Sequence, residues 1–241
     1  MFKDAIEHYD FLEVSPVKKR YQPKVSRKPK EALTPDEAIL LAKHAKDHYL
    51  GPAIWLATFA GLRVEAIHAL KWYSVCFKTN RILIVEAYKR KENEICPYPK
   101  GKDHEFVVMP PVLADYLGQL KLSRKARDQD YVATGLMGGM LGYDKLYAGV
   151  RKMCKEAGVR VVSPHLLRHS ATEIYVRFGG ATMEEIRRLL HHKSVETTKH
   201  YMHRTDERTH ELAVKVSDQL STIMAADKTD RPVLKVISGM K

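Results

Sequence analysis

Between Arg81 and Met109 the chain changes period, and that change limits the folds open to it. RILIVEA (81–87), NEICPYP (93–99) and EFVVMP (105–110) are β-branched or aromatic-rich runs separated by polar, charged turns. Runs of this kind predict a small three-stranded antiparallel sheet. On both sides the pattern is helical. Thr34-Pro35-Asp36-Glu37 carries a cap, a proline at the first helical position and a glutamate three residues on, which together mark a helix start. The predicted helix runs to about His48, a second ends at Gly61, and a third covers about 63–70. After Pro110 the helical pattern returns over about 111–121, 143–157, 164–178, 183–190, 195–201 and 206–224. Ser163-Pro164, Thr182-x-x-Glu185 and Ser194 are candidate starts for three of these. The expected class is α+β, mainly α-helical, with one small sheet.

The 241 residues are 44% hydrophobic, enough for one full core. Residues 18–30, KKRYQPKVSRKPK, hold seven Lys or Arg, two prolines and no acid, and cannot bury apolar surface. The expected division is therefore a basic linker or tail at 1–31, a main domain at 32–225 and a C-terminal tail at 226–241. The tail ends in RPVLKVISGMK, a short strand candidate that could pack on a neighbouring subunit. A net charge of +12 points to a polyanionic partner, with Lys18, Lys19, Arg20, Lys24, Arg27 and Lys28 placed to track phosphates. No stretch reaches the roughly 18–20 uncharged apolar residues of a membrane span. The acidic-polar N-terminus reads against a signal peptide, and three scattered cysteines, Cys76, Cys96 and Cys154, fit a reducing cytoplasm. Two Asn and four Gln beside abundant Lys, Arg and Glu lean towards a thermophilic source.

Cutting DNA by transesterification needs a nucleophile, cations on the non-bridging phosphate oxygens and an acid for the leaving 5′-oxygen. Guanidinium suits the clamp because its planar fork matches phosphate and keeps its proton. In SPHLLRHSATEIYVRFGG, His165 and Arg168 lie three apart on one helix, and His169 lies four from His165. Taken alone, such a pair is a weak signal and reads more readily as a surface or packing contact. Downstream, in LLHHKSVETTKHYMHR, His192 precedes Tyr201 by nine residues. His44/His48 and His200/His203 are helical pairs, but no His-Glu-x-x-His, paired cysteines or Asp cluster accompanies them, so no metal is expected.

The order Gly-Leu-Arg opening a helix, a strand-rich basic segment, His-x-x-Arg-His-Ser and then His-x8-Tyr resembles the tyrosine recombinase and phage integrase family over roughly 33–204. By position, the resemblance makes Arg63 the first arginine, His165 and Arg168 the His-x-x-Arg pair, His192 the second histidine and Tyr201 the nucleophile. Lys102 resembles the family's hairpin lysine, with Lys100 a rival across Gly101. The chain departs from the family at Ala66, where an acid is usual, and at His191, where glycine is usual. Residues 1–30 are too short for the family's N-terminal core-binding domain. The resemblance implies a DNA recombinase that works through a 3′-phosphotyrosine without metal, ATP or other cofactor. It also implies a tetramer on double-stranded DNA, and a monomer or weak oligomer off it. A non-cleaving DNA-binding regulator and a type IB topoisomerase are the rival readings.

Overall fold

The computed structural model describes residues 31–97, 105–189 and 202–226. The chain divides into two units, Met1–Glu31 and Ala32–Lys241, and the architecture below is that of the second. The expected basic segment at 18–30, the helix at 195–201 and the tail beyond residue 226 lie outside the described residues.

Helix α1 (Pro35–Ala45) starts as the sequence predicts. The Thr34 hydroxyl accepts from the Glu37 N–H, and the Glu37 carboxylate accepts from the Thr34 N–H at 2.9 Å. Helix α2 (Gly51–Phe59) is buried at all nine positions, so it has no polar face and forms the centre of the core. Around it lie α1, the short α3 (Val64–Ala69), α4 (Pro111–Ser123) and α6 (Pro164–Gly179). Helix α5 (Tyr143–Glu156) buries Leu146, Val150, Met153 and Cys154, one stripe at helical spacing. After α6, Gly180 ends the helix in the left-handed conformation (φ 64°). Thr182 and Glu185 then cap α7 (Met183–Leu189) reciprocally. The last helix, α8 (Met202–Ala226), packs on α6 and α4. Its buried Leu212, Val216 and Leu220 join the core.

The β region differs from the sequence expectation. Among the described residues there are five short strands: β1 (Val75–Cys76), β2 (Arg81–Ile84), β3 (Glu86–Lys89), β4 (Glu94–Pro97) and β5 (Glu105–Val108). The three-stranded antiparallel sheet exists, but its order is β1-β2-β5, with Val75 opposite Ile82 and Ile82 opposite Val107. The 93–99 run instead pairs with β3 in a separate two-stranded ribbon. RILIVEA breaks at Val85, so one predicted strand serves both sheets. Ile82 and Ile84 turn into the core, and the ribbon packs on α3. Its turn covers Arg90–Asn93, with Asn93 at φ 53°.

Close packing at the start of α2 makes Gly51 a sensitive position. A Cβ there would collide with the Ala45 carbonyl and come within 2.7 Å of the Tyr116 hydroxyl. Gly51→Ala should therefore destabilise the fold by about 1–3 kcal/mol despite alanine's better helix propensity. Thermal unfolding checks this, and an unchanged midpoint would contradict the packing described.

Candidate active site

The site is built where α2 ends against α6. The last carbonyls of a helix have no partner inside it, and α6 supplies partners for this end from its own side chains. The buried Tyr175 hydroxyl donates to the Phe59 carbonyl at 3.2 Å, and Arg168 Nη1 donates to the Gly61 carbonyl at 2.7 Å. Gly61 sits at φ 60°, a conformation in which glycine carries no side-chain penalty. The chain then reverses, the Leu62 N–H reaching back to the Leu56 carbonyl at 3.2 Å. Two residues after Gly61 comes Arg63, the N-cap residue of α3, in extended conformation and without a side-chain cap bond. A single turn thus brings Arg63 and Arg168 to one place from points 105 residues apart in sequence.

Arg168 is only 6% exposed, whereas His165, one turn earlier on α6, is exposed. His169 follows on the same helix, half-buried, its ring 5.0 Å from that of His165 and nearly perpendicular to it. Burial holds the His169 pKa below the ordinary histidine value, and the neighbouring His165 and Arg168 add to that. Ser170 ties the helix to the start of the domain, accepting from the Leu33 N–H at 3.0 Å.

The structure therefore places Arg63 two residues after the carbonyl that Arg168 holds, with His165 one turn before Arg168 on α6. Lys100, Lys102, His192, Tyr201 and the basic residues Lys18, Lys19, Arg20, Lys24, Arg27 and Lys28 lie outside the described residues. The segment expected to turn at Gly101 joins β4 to β5, while the ribbon's own turn falls earlier, at Arg90–Asn93. Arg90 is anchored there, 2.9 Å from Asp144 and 4.3 Å over the Tyr143 ring. Among the described residues no three His, Cys, Asp or Glu side chains converge on a common metal position. No helix among them is long and apolar enough to cross a membrane.

One residue of this neighbourhood escaped the sequence reading. His68, on α3, is completely buried, with Nδ1 2.7 Å from the Leu141 carbonyl. Its ring stacks on Tyr143 and tilts against Tyr88. The only sequence signal was a lone histidine on the apolar side of a short helix.

This architecture recurs in solved recombinase structures. XerA recombinase superposes with a TM-score of 0.57 at 21% identity, covering 92% of this chain and 72% of that one. The Tn1549 transposon integrase in complex with transposon right-end DNA gives 0.60 at 13% identity, covering 80% and 70%. In sequence, tyrosine recombinase XerC of Bifidobacterium longum subsp. infantis is 37% identical over 79 residues, 33% of this chain and 22% of that protein. XerC of Xanthomonas axonopodis pv. citri is 24% identical over 197 residues, 80% of this chain and 60% of that protein. The chain thus spans at most about three-fifths of the length of these relatives. The fold is that of a tyrosine recombinase catalytic domain. Residues 31–208 match the model of the phage integrase family, and the chain belongs to that family.

The buried histidine makes stability pH-dependent in a stated direction. Burial lowers the His68 pKa, the Leu141 hydrogen bond and Glu65 opposing it only in part. The unfolded chain then binds a proton more readily than the native one, so stability is full above about pH 6.5 and falls as the pH drops below it. His48 and His169 shift the same way. Melting temperatures across about pH 5–8 should show this acid loss, shallower in His68→Asn. An identical acid slope in the variant would remove His68 as a contributor.

Proposed function

We propose that the chain is a site-specific DNA recombinase that cuts and rejoins double-stranded DNA through a 3′-phosphotyrosine on Tyr201. The observation that supports the reading is the bond from Arg168 to the Gly61 carbonyl, two residues before Arg63, with His165 exposed one turn earlier on α6. In this reading the two guanidinium groups share one phosphate, each as a fixed cation with planar donors. Family membership supplies the reaction class, and the His192-x8-Tyr201 spacing supplies the nucleophile.

In this reading the Tyr201 hydroxyl oxygen forms a bond to phosphorus while the bond from phosphorus to the 5′-oxygen breaks. The tyrosine proton passes towards His165, and Lys102 protonates the departing 5′-oxygen. His192 donates to a non-bridging oxygen, while Arg63 and Arg168 hold the charge of the five-coordinate phosphate. The phosphotyrosyl ester conserves the energy of the broken linkage, so rejoining needs neither ATP nor metal. Lys18, Lys19, Arg20, Lys24, Arg27, Lys28 and Lys100 act as phosphate contacts. Solved complexes of lambda integrase, as a dimer on a core site, and of the Tn1549 integrase with DNA support duplex DNA as the partner. Action as a tetramer in the cytoplasm completes the proposal, with residues 32–225 as the catalytic domain.

A nicked suicide duplex tests the nucleophile, because the cut strand diffuses away and the adduct accumulates. Wild type should form the covalent adduct in the presence of EDTA and without nucleotide. Tyr201→Phe should form none while still binding the duplex. An adduct surviving in that variant would transfer the role to another residue, and its absence from wild type would favour a non-cleaving regulator.

A bridging 5′-sulfur separates the two candidate acids, since a thiolate leaves without a proton. Lys102→Ala should be slower on ordinary DNA by about 10²–10⁴, the usual worth of general acid help, and close to wild type on the sulfur substrate. Rescue that followed Lys100→Ala instead would move the role by two residues.

A further inference from the structure

Helix α3 has only six residues, no side-chain cap, and Arg63 at its start. A helix this short does not hold itself in water, so tertiary contacts must set its direction. Val64, Ala66 and Ile67 bury apolar surface, which is attractive but not directional. Directional contacts come from the Val132 N–H, which donates to the carbonyl of Leu70 at the helix end at 2.9 Å, and, from within the helix, from the side chain of His68. A carbonyl oxygen can only accept, so at 2.7 Å from Leu141 the Nδ1 atom carries a proton and donates it. Its Nε2 is buried without a hydrogen-bond partner among the described residues. A fully buried imidazole with one nitrogen unsatisfied is costly, and an apolar side chain would fill the same space without that cost.

The ring lies between two other elements. Tyr143, the first residue of α5, stacks on it at 5.6 Å between centroids, and Tyr88 of β3 tilts against it at 5.5 Å. Tyr88 in turn donates to Asn93 at the ribbon turn at 2.7 Å, and Arg90 covers the Tyr143 ring. One side chain therefore meets α5, the ribbon and the segment before α5, and it projects from the helix that Arg63 begins.

We propose that His68 is a positioning residue for Arg63. Its bond to Leu141 and its seat between Tyr88 and Tyr143 fix the rotation of α3, and so the direction from which the Arg63 guanidinium meets the scissile phosphate. This rests on the reading of Arg63 as a phosphate ligand.

Single-turnover cleavage of the nicked suicide duplex by the full chain tests it. His68→Phe keeps an aromatic ring between the tyrosines and removes the donor. It should slow cleavage roughly 10- to 100-fold, the scale of a small misplacement at a reacting centre, with duplex affinity near wild type. His68→Asn, whose amide can reach the Leu141 carbonyl, should recover most of the rate.

A double-mutant cycle separates positioning from general stability. On an Arg63→Lys background, His68→Phe should slow cleavage by less than about twofold, because the interaction it serves is already gone. On a His165→Ala background it should act with its full factor. Equal factors on both backgrounds, or wild-type cleavage by His68→Phe, would overturn the inference. The Arg63→Lys single variant reports on the underlying reading alone: wild-type cleavage there would remove Arg63 as a phosphate ligand whatever His68 does.

Discussion

The hydrogen bond from Arg168 to the Gly61 carbonyl is the contact on which the rest of the site depends. It answers a local need, since a carbonyl at the end of a buried helix must find a donor. It answers with a cation at a helix C-terminus, where the dipole favours positive charge. The same bond fixes the distance between α6 and the turn that delivers Arg63. Tyr175 repeats the device two carbonyls earlier, on Phe59. A guanidinium has five donors in one plane, so a group that closes a helix end can also present donors to a phosphate. In the proposed reaction the structural and chemical roles meet at Arg168.

Arg63 stands in the opposite situation. A cation at a helix N-terminus opposes the dipole, and α3 has neither a side-chain cap nor the length to compensate. The surroundings hold it there: an apolar face on the core, the ribbon packed on its flank and a buried histidine reaching Leu141. Such a local mismatch, maintained by its neighbours, is what a group placed for an anionic ligand requires.

Much of this was legible in the sequence where the signal was local. The capping pairs Thr34/Glu37 and Thr182/Glu185 start helices as their spacing predicts, and His165 and Arg168 share α6 because three residues make nearly one turn. The sheet was less legible. Alternation announces a strand but not its partner, so the 93–99 run was joined to the wrong sheet and the two-residue β1, next to the Trp72–Ser74 turn, was missed. Asn93 takes the left-handed conformation at the turn that reverses the ribbon, and the turn expected at Gly101 lies outside the described residues. The seat of Arg168 on Gly61 and that of His68 on Leu141 come from contacts more than 70 residues apart in sequence, which no local pattern carries.

In the proposed site the turn at Gly61 gathers two arginines onto one phosphate. A structure of the chain trapped on a nicked suicide duplex tests it most directly. Guanidinium nitrogens of both Arg63 and Arg168 should lie at roughly 2.7–2.9 Å from non-bridging oxygens of the phosphate esterified to Tyr201. A trapped complex in which that phosphate lies elsewhere, with Arg168 committed to Gly61 alone, would contradict it.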